Sequence, residues 1–341
     1  MSGPTTAGGT GRAGAAGPGG RAEPLLRVAG LSVGAPGGPR IVDGVSFEVP
    51  EATTVGLIGE SGSGKTMTAR AIIGLLPGGV EAGGTLRWRG EDLLGAGPGR
   101  RRAVRGREIA MIFQDPLAAL NPTQRIGRQV GEILRRDGLP RREVRRRVVE
   151  LLGLAGVPEP EERMRRYPHE FSGGLRQRAM IALALAGSPA LLLADEPTTA
   201  LDVTVQARIL RLLRSVQRER GLAMLLVSHD LRVVAHTAHQ VVVMYAGRVA
   251  ERGAARQLLA RPAHPYTAAL VRSVPAVRTR SALATPLPGS PANPAERPAG
   301  CAFHPRCPLA RERCRTRVPE VREVAPGRFS ACHFAAEVFG S

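Results

Sequence analysis

The segment Gly59-Glu60-Ser61-Gly62-Ser63-Gly64-Lys65-Thr66 carries the densest chemical signal in this chain. Its glycines allow successive backbone N–H groups to turn inward toward phosphate oxygens. Lys65 is the only lysine; the other 47 of the 48 basic residues are arginine. A compact, rotatable ammonium reaches β- and γ-phosphates past a tight turn, where a planar guanidinium fork does not fit. Thr66 adds a hydroxyl suited to Mg²⁺. The segment reads as a site for a nucleoside triphosphate.

Further groups belong to the same chemistry, and the elements that must position them are legible around them. Thr54-Val55-Gly56-Leu57-Ile58 is a short apolar run of the kind buried in a parallel sheet, and Met67 to Ile73 follows with helical spacing. The loop therefore lies between a strand and a helix, where the helix N-terminus adds its positive end. Leu191-Leu192-Leu193-Ala194-Asp195-Glu196 is another apolar run, closed by two carboxylates. Alone it would be a solvated strand end; downstream of a phosphate loop, Asp195 takes a Mg²⁺ role and Glu196 orients or deprotonates the attacking water. Gln114 follows Ile109-Ala110-Met111-Ile112-Phe113, and His229 follows Leu225-Leu226-Val227-Ser228. Polar groups at the carboxyl ends of parallel strands converge on one ligand crevice. That convergence assigns Gln114 to the metal or the attacking water and His229 to the γ-phosphate, so Thr66, Gln114 and Asp195 form the expected Mg²⁺ set.

Composition bounds the alternatives. At 341 residues and 43% hydrophobic content the chain has ample material for a core. Residues 1–22 are Gly, Ala, Thr, Pro and Arg with almost no large apolar side chain, so a disordered tail is expected there. The tail has no apolar region of the secretory type. The longest apolar stretch, residues 179–194, is broken by Gly187-Ser188-Pro189 and is too short to span a bilayer. The formal charge of +19 invites a nucleic-acid reading, but aromatics are only 3% and offer no stacking platform. The arginines at 141–147 alternate with Val144, Val148, Leu151 and Leu152 as a solvated helix face would. An anionic lipid surface or an acidic partner suits this charge better than nucleic acid.

Ser172-Gly173-Gly174-Leu175-Arg176-Gln177-Arg178 stands 23 residues before Asp195. With this element the chain resembles the ATP-binding subunit of an ABC transporter, over a span from about Leu25 to the C-terminus. The resemblance implies an α/β fold: a P-loop NTPase (RecA-like) ABC ATPase core with a helical subdomain, plus a small C-terminal Cys-rich extension. It implies ATP and Mg²⁺ as ligands, ATP hydrolysis coupled to solute transport, and a sandwich of two subunits. In that sandwich Ser172, Gly173 and Gly174 would face the nucleotide on the other subunit, and Asp202 in Thr199-Ala200-Leu201-Asp202 would cross the interface. Leu175 departs from the glutamine frequent in the family. No Phe, Tyr or Trp lies between Leu25 and Ser46, where a ring usually stacks on adenine, which leaves weak stacking, Arg40 or the partner subunit in its place.

Phe113 to Pro122, Arg166-Tyr167-Pro168-His169-Glu170-Phe171 and His264-Pro265-Tyr266-Thr267-Ala268-Ala269-Leu270 resemble the oligopeptide, dipeptide and nickel importer branch. The branch implies a second, homologous ATPase subunit, two permease subunits and, indirectly, an extracytoplasmic solute-binding protein, with this chain peripheral on the cytoplasmic face of the cell membrane. A soluble ABC ATPase acting on nucleic acid or as an assembly scaffold is the alternative. The expected organisation is a tail at 1–22, an ATPase domain at 23–258 with its helical subdomain at about 117–185, and an extension at 259–341. Pro286-Leu287-Pro288-Gly289-Ser290-Pro291 reads as a semi-rigid linker.

All four cysteines, Cys301, Cys307, Cys314 and Cys332, fall in the extension. In a reducing compartment they point to a metal centre rather than disulfides, either a 4Fe-4S cluster or Zn²⁺, with unliganded cysteines as a further reading and His304 and His333 as flanking residues. Residues 280–341 hold few large apolar side chains, so a metal is expected to supply the stability that burial there does not.

Overall fold

The computed structural model describes residues 23–136, 138–198, 202–273 and 287–340. The expected tail at 1–22, residues 199–201 of the segment expected to cross a subunit interface, and Pro286 of the expected linker lie outside the described residues.

Among the described residues twelve strands form two sheets: β1 (Leu26–Gly34), β2 (Arg40–Val49), β3 (Thr54–Ile58), β4 (Glu81–Trp88), β5 (Glu91–Asp92), β6 (Ile109–Ile112), β7 (Leu191–Asp195), β8 (Ala223–Ser228), β9 (Gln240–Tyr245), β10 (Arg248–Ala254), β11 (Arg322–Ala325) and β12 (Arg328–Ser330). The main sheet has the order β11-β12-β10-β9-β3-β8-β7-β6, and the second has the order β2-β1-β4-β5. From β9 to β6 every pairing is parallel, with β3 seated between β8 and β9. The apolar runs become these strands because both of their faces are covered, as the fully buried β3, β6, β7 and β8 show.

Side-chain alternation divides the interior into two cores. Leu192 and Ala194 of β7, Met224 and Leu226 of β8, and Val241 and Val243 of β9 point to one side, against helices that include Gly173–Leu185 and Val203–Arg220. Leu191, Leu193, Leu225, Val227, Val242 and Met244 point to the other. There the helix Lys65–Ile73 and the antiparallel second sheet close over them, with Trp88 fully buried. The second sheet was not anticipated from the sequence.

Between β6 and β7 lie the α-helices Pro116–Ala119, Ile126–Arg136, Arg141–Leu154, Pro160–Arg163 and Gly173–Leu185. Val144, Val148, Leu151 and Leu152 are the buried stripe of the arginine-rich helix, and its guanidiniums turn outward. Arg146 pairs there with Glu143 and Glu150, which makes the run an ion-laced solvated face.

The C-terminal extension is not an isolated miniature core. β12 pairs with β10 through Glu251↔Ser330 and Arg252↔Phe329, and β11 adds beyond it. Phe303 is 2% exposed and packs at the cassette's edge against Tyr245 and Tyr266. Glu251 and Arg328 form a buried ion pair at 2.8 Å. The expectation that burial there is too poor to stabilise the segment is therefore corrected: it borrows the cassette's sheet and the ring of Tyr245 in place of a core of its own.

Candidate functional site

The phosphate loop leaves the carboxyl end of β3. Gly59 has φ 152°, and a Cβ there would lie 2.2 Å from the Met244 carbonyl oxygen, so the first turn of the loop admits only glycine. Gly64, at φ 97°, precedes the helix Lys65–Ile73. No side chain caps that helix, and its first turn holds no acidic residue. Its N-terminal N–H groups are thus left for an anion. Lys65 is buried, and its Nζ donates to the carbonyl oxygens of Gly59 (2.8 Å) and Glu60 (2.9 Å) and to Ser63 Oγ (3.4 Å). Burial lowers the Lys65 pKa, while the carboxylates of Glu196, Asp195 and Glu60 oppose that shift.

Strands β3, β7, β8 and β6 bring the remaining groups to the same end of the sheet. Thr66 Oγ1 donates to Asp195 Oδ1 at 3.1 Å. Asp195 is 2% exposed, and desolvation raises its pKa despite the Thr66 hydrogen bond, with the neighbouring Glu196 charge adding to the rise. A buried carboxylate in that state gains from a nearby cation, and a hydroxyl beside it is a second hard oxygen donor, so the pair fits Mg²⁺. Gln114 Nε2 donates to Glu196 Oε2 at 3.1 Å, and His229 Nδ1 lies 3.2 Å from Glu196 Oε1. Glu196 has φ 46°, a left-handed conformation costly for a non-glycine residue, and its N–H donates to the Val227 carbonyl at 3.0 Å. The expected residues thus meet as two linked groups, Thr66 with Asp195 and Gln114 with Glu196 and His229. Gln114 reaches Glu196 here, rather than the Thr66–Asp195 pair.

Ser172 caps the helix Gly173–Leu185 by accepting from Leu175 N–H at 3.4 Å. Leu175 therefore keeps the helix start intact while its side chain packs on the core. Ser172 and Gly173 are exposed, and Gly174 lies against Val205, so the helix start presents its backbone outward. Asp202 caps the helix Val203–Arg220 by accepting from Val205 N–H at 2.9 Å.

Sequence reasoning missed two side chains that come to the loop from the extension. His264 caps the helix Pro265–Arg272 by accepting the Tyr266 N–H at 3.0 Å, and burial pushes its imidazole pKa down to about 4. The Tyr266 hydroxyl accepts the Glu60 N–H at 2.8 Å. Arg306 donates from both terminal nitrogens to the Glu60 carboxylate, at 2.7 and 3.0 Å. His264-Pro265-Tyr266 was legible as a helix start, but its target some 200 residues upstream left no local signal.

Cys301, Cys307, Cys314 and Cys332 all border one small pocket, lined also by His264, Phe303 and Phe334. All four are free thiols. Burial pushes Cys301 and Cys332 up to about 11 and raises Cys307 as well. Among the described residues, however, no group of three or more His, Cys, Asp or Glu side chains is gathered to hold a metal ion. The flanking histidines are engaged elsewhere, His304 with the Cys301 carbonyl at 3.0 Å and His333 with the Arg317 carbonyl at 2.8 Å. Among the described residues no helix is long and apolar enough to cross a membrane.

Residues 42–199 match the ABC transporter family, and residues 250–314 match the oligopeptide/dipeptide transporter C-terminal region. A probable peptide ABC transporter ATP-binding protein of Sinorhizobium fredii is 45% identical over 303 residues, covering 88% of this chain and 90% of that protein. The dipeptide transport ATP-binding protein of Escherichia coli is 44% identical over 322 residues, covering 93% and 98%. Among solved structures, a dimeric bacterial ABC transporter cassette superposes with a TM-score of 0.62 at 26% identity, covering 68% of this chain and 99% of that one. A component of the cbiONQ ABC transporter complex of Clostridium perfringens gives the same TM-score at 25% identity, covering 70% and 92%.

Proposed function

Because this chain belongs to the family of ABC transporter ATP-binding subunits, and is an ATPase using ATP and Mg²⁺, we propose that it powers an importer of the peptide type. The observation that carries the reading is the junction of the phosphate loop with the Gln114–Glu196–His229 group at one end of a parallel sheet, in a chain whose extension matches the oligopeptide/dipeptide C-terminal region. The relatives named for peptide or dipeptide transport support peptides as the solute class.

In this reading Lys65 exchanges its loop carbonyl partners for the β- and γ-phosphate oxygens, and the uncapped N–H groups at the start of the helix Lys65–Ile73 cradle the rest. Thr66 and Asp195 would hold Mg²⁺, with Gln114 swinging between that pair and Glu196. When bound, the ion neutralises charge developing on the phosphates. Glu196 orients or deprotonates the attacking water, held in place by Gln114 and His229; His229 also contacts the γ-phosphate. Ser172, Gly173 and Gly174 supply outward-facing donors to the nucleotide of a second, homologous ATPase subunit, with Asp202 at the same interface. Two permease subunits and an extracytoplasmic solute-binding protein complete the assembly, and this chain sits on the cytoplasmic face of the membrane.

The four cysteines are the finer part of the reading, as the ligands of a 4Fe-4S cluster or, alternatively, Zn²⁺. What supports a centre there is that all four free thiols border one pocket, and Cys₄ ligation serves a cluster and zinc alike. Reconstituting the chain with its permease pair and assaying uptake of di- and oligopeptides against Ni²⁺ tests the function. ATP-driven peptide uptake is the expected result. Ni²⁺ uptake alone would move the solute to metal, and ATP turnover with neither substrate would overturn the import reading.

A further inference from the structure

Every polar group of Glu60 is engaged. Its carbonyl accepts from Lys65 Nζ, its N–H donates to the Tyr266 hydroxyl, and its carboxylate takes a bidentate Arg306 guanidinium. The last two partners lie 206 and 246 residues away, in the segment matched to the transporter C-terminal region. Both are themselves fixed. Tyr266 is fully buried, with its ring 4.6 Å from that of Tyr245 and 5.3 Å from that of Phe303. Arg306 Nε donates to the Pro288 carbonyl at 2.8 Å, and its side chain is 5% exposed. It sits in the single turn His304–Arg306, between Cys301 and Cys307. A bidentate guanidinium–carboxylate pair fixes orientation as well as distance, and a tyrosine held by neighbouring rings loses little further freedom when it accepts a hydrogen bond.

We propose that Tyr266 and Arg306 are positioning residues for nucleotide binding: from the C-terminal extension they clamp Glu60, and so hold the phosphate loop in the shape that receives ATP. They do not touch the phosphates; they act through the Glu60 peptide, whose carbonyl shares the Lys65 ammonium with Gly59. With the clamp removed, the loop must order itself when ATP arrives, and that cost falls on affinity. The hydrolytic group of Gln114, Glu196 and His229 is not touched. The inference rests on the ATPase reading.

The test uses the full chain, with MgATP affinity measured by calorimetry and steady-state ATPase measured on the assembled transporter. Tyr266→Phe removes one hydroxyl and keeps the ring, so the dissociation constant should rise on the order of 3- to 10-fold. Arg306→Gln should weaken binding by about 10-fold or more, since it orphans a half-buried carboxylate. KM for ATP should follow, with kcat at saturating ATP within about two-fold of the parent. Glu60→Gln combined with Arg306→Gln should cost less than the sum of the single changes, because the two side chains act on each other. A purely structural role would lower the unfolding midpoint and leave KM in place. Tyr266→Phe and Arg306→Gln proteins that bind MgATP as tightly as the parent would overturn the clamp. Should Arg306→Gln fail to fold, Tyr266→Phe decides alone. A parent chain that binds no MgATP would instead overturn the nucleotide site itself.

Discussion

Replacing Arg328 with Met tests whether the extension is built into the cassette. Arg328 donates to Glu251 Oε1 at 2.8 Å and to the Arg261 carbonyl at 2.7 Å. The side chains of the pair are 4% and 0% exposed. Glu251 also accepts the N–H groups of Ala263 and His264, at 2.9 and 3.0 Å, so it ties β10 both to the start of the helix Pro265–Arg272 and to β12. Methionine fills a similar volume but leaves a carboxylate buried without its cation. Breaking a buried pair from one side costs about 3–5 kcal/mol, a large share of a typical domain's stability. Burial already raises the Glu251 pKa, its hydrogen bonds and Arg328 opposing; losing Arg328 raises it further. An acid with a raised folded-state pKa contributes fully below its unfolded value and loses that contribution as pH climbs through the folded one. The destabilisation should therefore be smallest near about pH 5 and grow toward about pH 8. Urea unfolding across that range, with limited proteolysis of the extension, reads both quantities. Adding Glu251→Gln to Arg328→Met should recover most of the loss. An Arg328→Met protein as stable as the parent at the alkaline end, or one whose deficit grows on acidification, would refute the reasoning.

Glu196→Gln should bind MgATP with near-parent affinity, because the phosphate cradle is untouched, and hydrolyse it at least ~100-fold more slowly in the assembled transporter. Near-normal turnover would remove Glu196 from the chemistry. Lys65→Arg should weaken ATP binding itself, since the planar head does not fit the site enclosed by Gly59 O, Glu60 O and Ser63 Oγ; unchanged affinity by calorimetry would contradict that. Protein purified without oxygen should be brown and carry about four irons per chain. About one zinc in a colourless protein would favour the alternative, and metal-free protein with a protease-resistant extension would dismiss both.

The sequence by itself determined the nucleotide chemistry, because that chemistry is local. Gly59 to Thr66 form one continuous loop whose glycines, ammonium and hydroxyl are read in order, and each further group stands at the end of an apolar run whose length and flanks declare a strand. Parallel strands aim their carboxyl ends at one crevice, so Asp195, Glu196, Gln114 and His229 were placed together before any contact was visible. Only the tertiary structure decided how they pair: Gln114 with Glu196, Thr66 with Asp195, choices made by ångström-scale strand register. The antiparallel second sheet was hidden because its strands alternate through glycines and polar residues, and their pairings form with each other rather than with the parallel sheet. The extension was misjudged for a related reason. Its own residues are poor in apolar area, but Phe303, Arg306 and Arg328 find their partners in Tyr245, Glu60 and Glu251. Partners separated by 50 to 250 residues leave no periodicity for a sequence to display, and only the folded chain brings them within bonding distance.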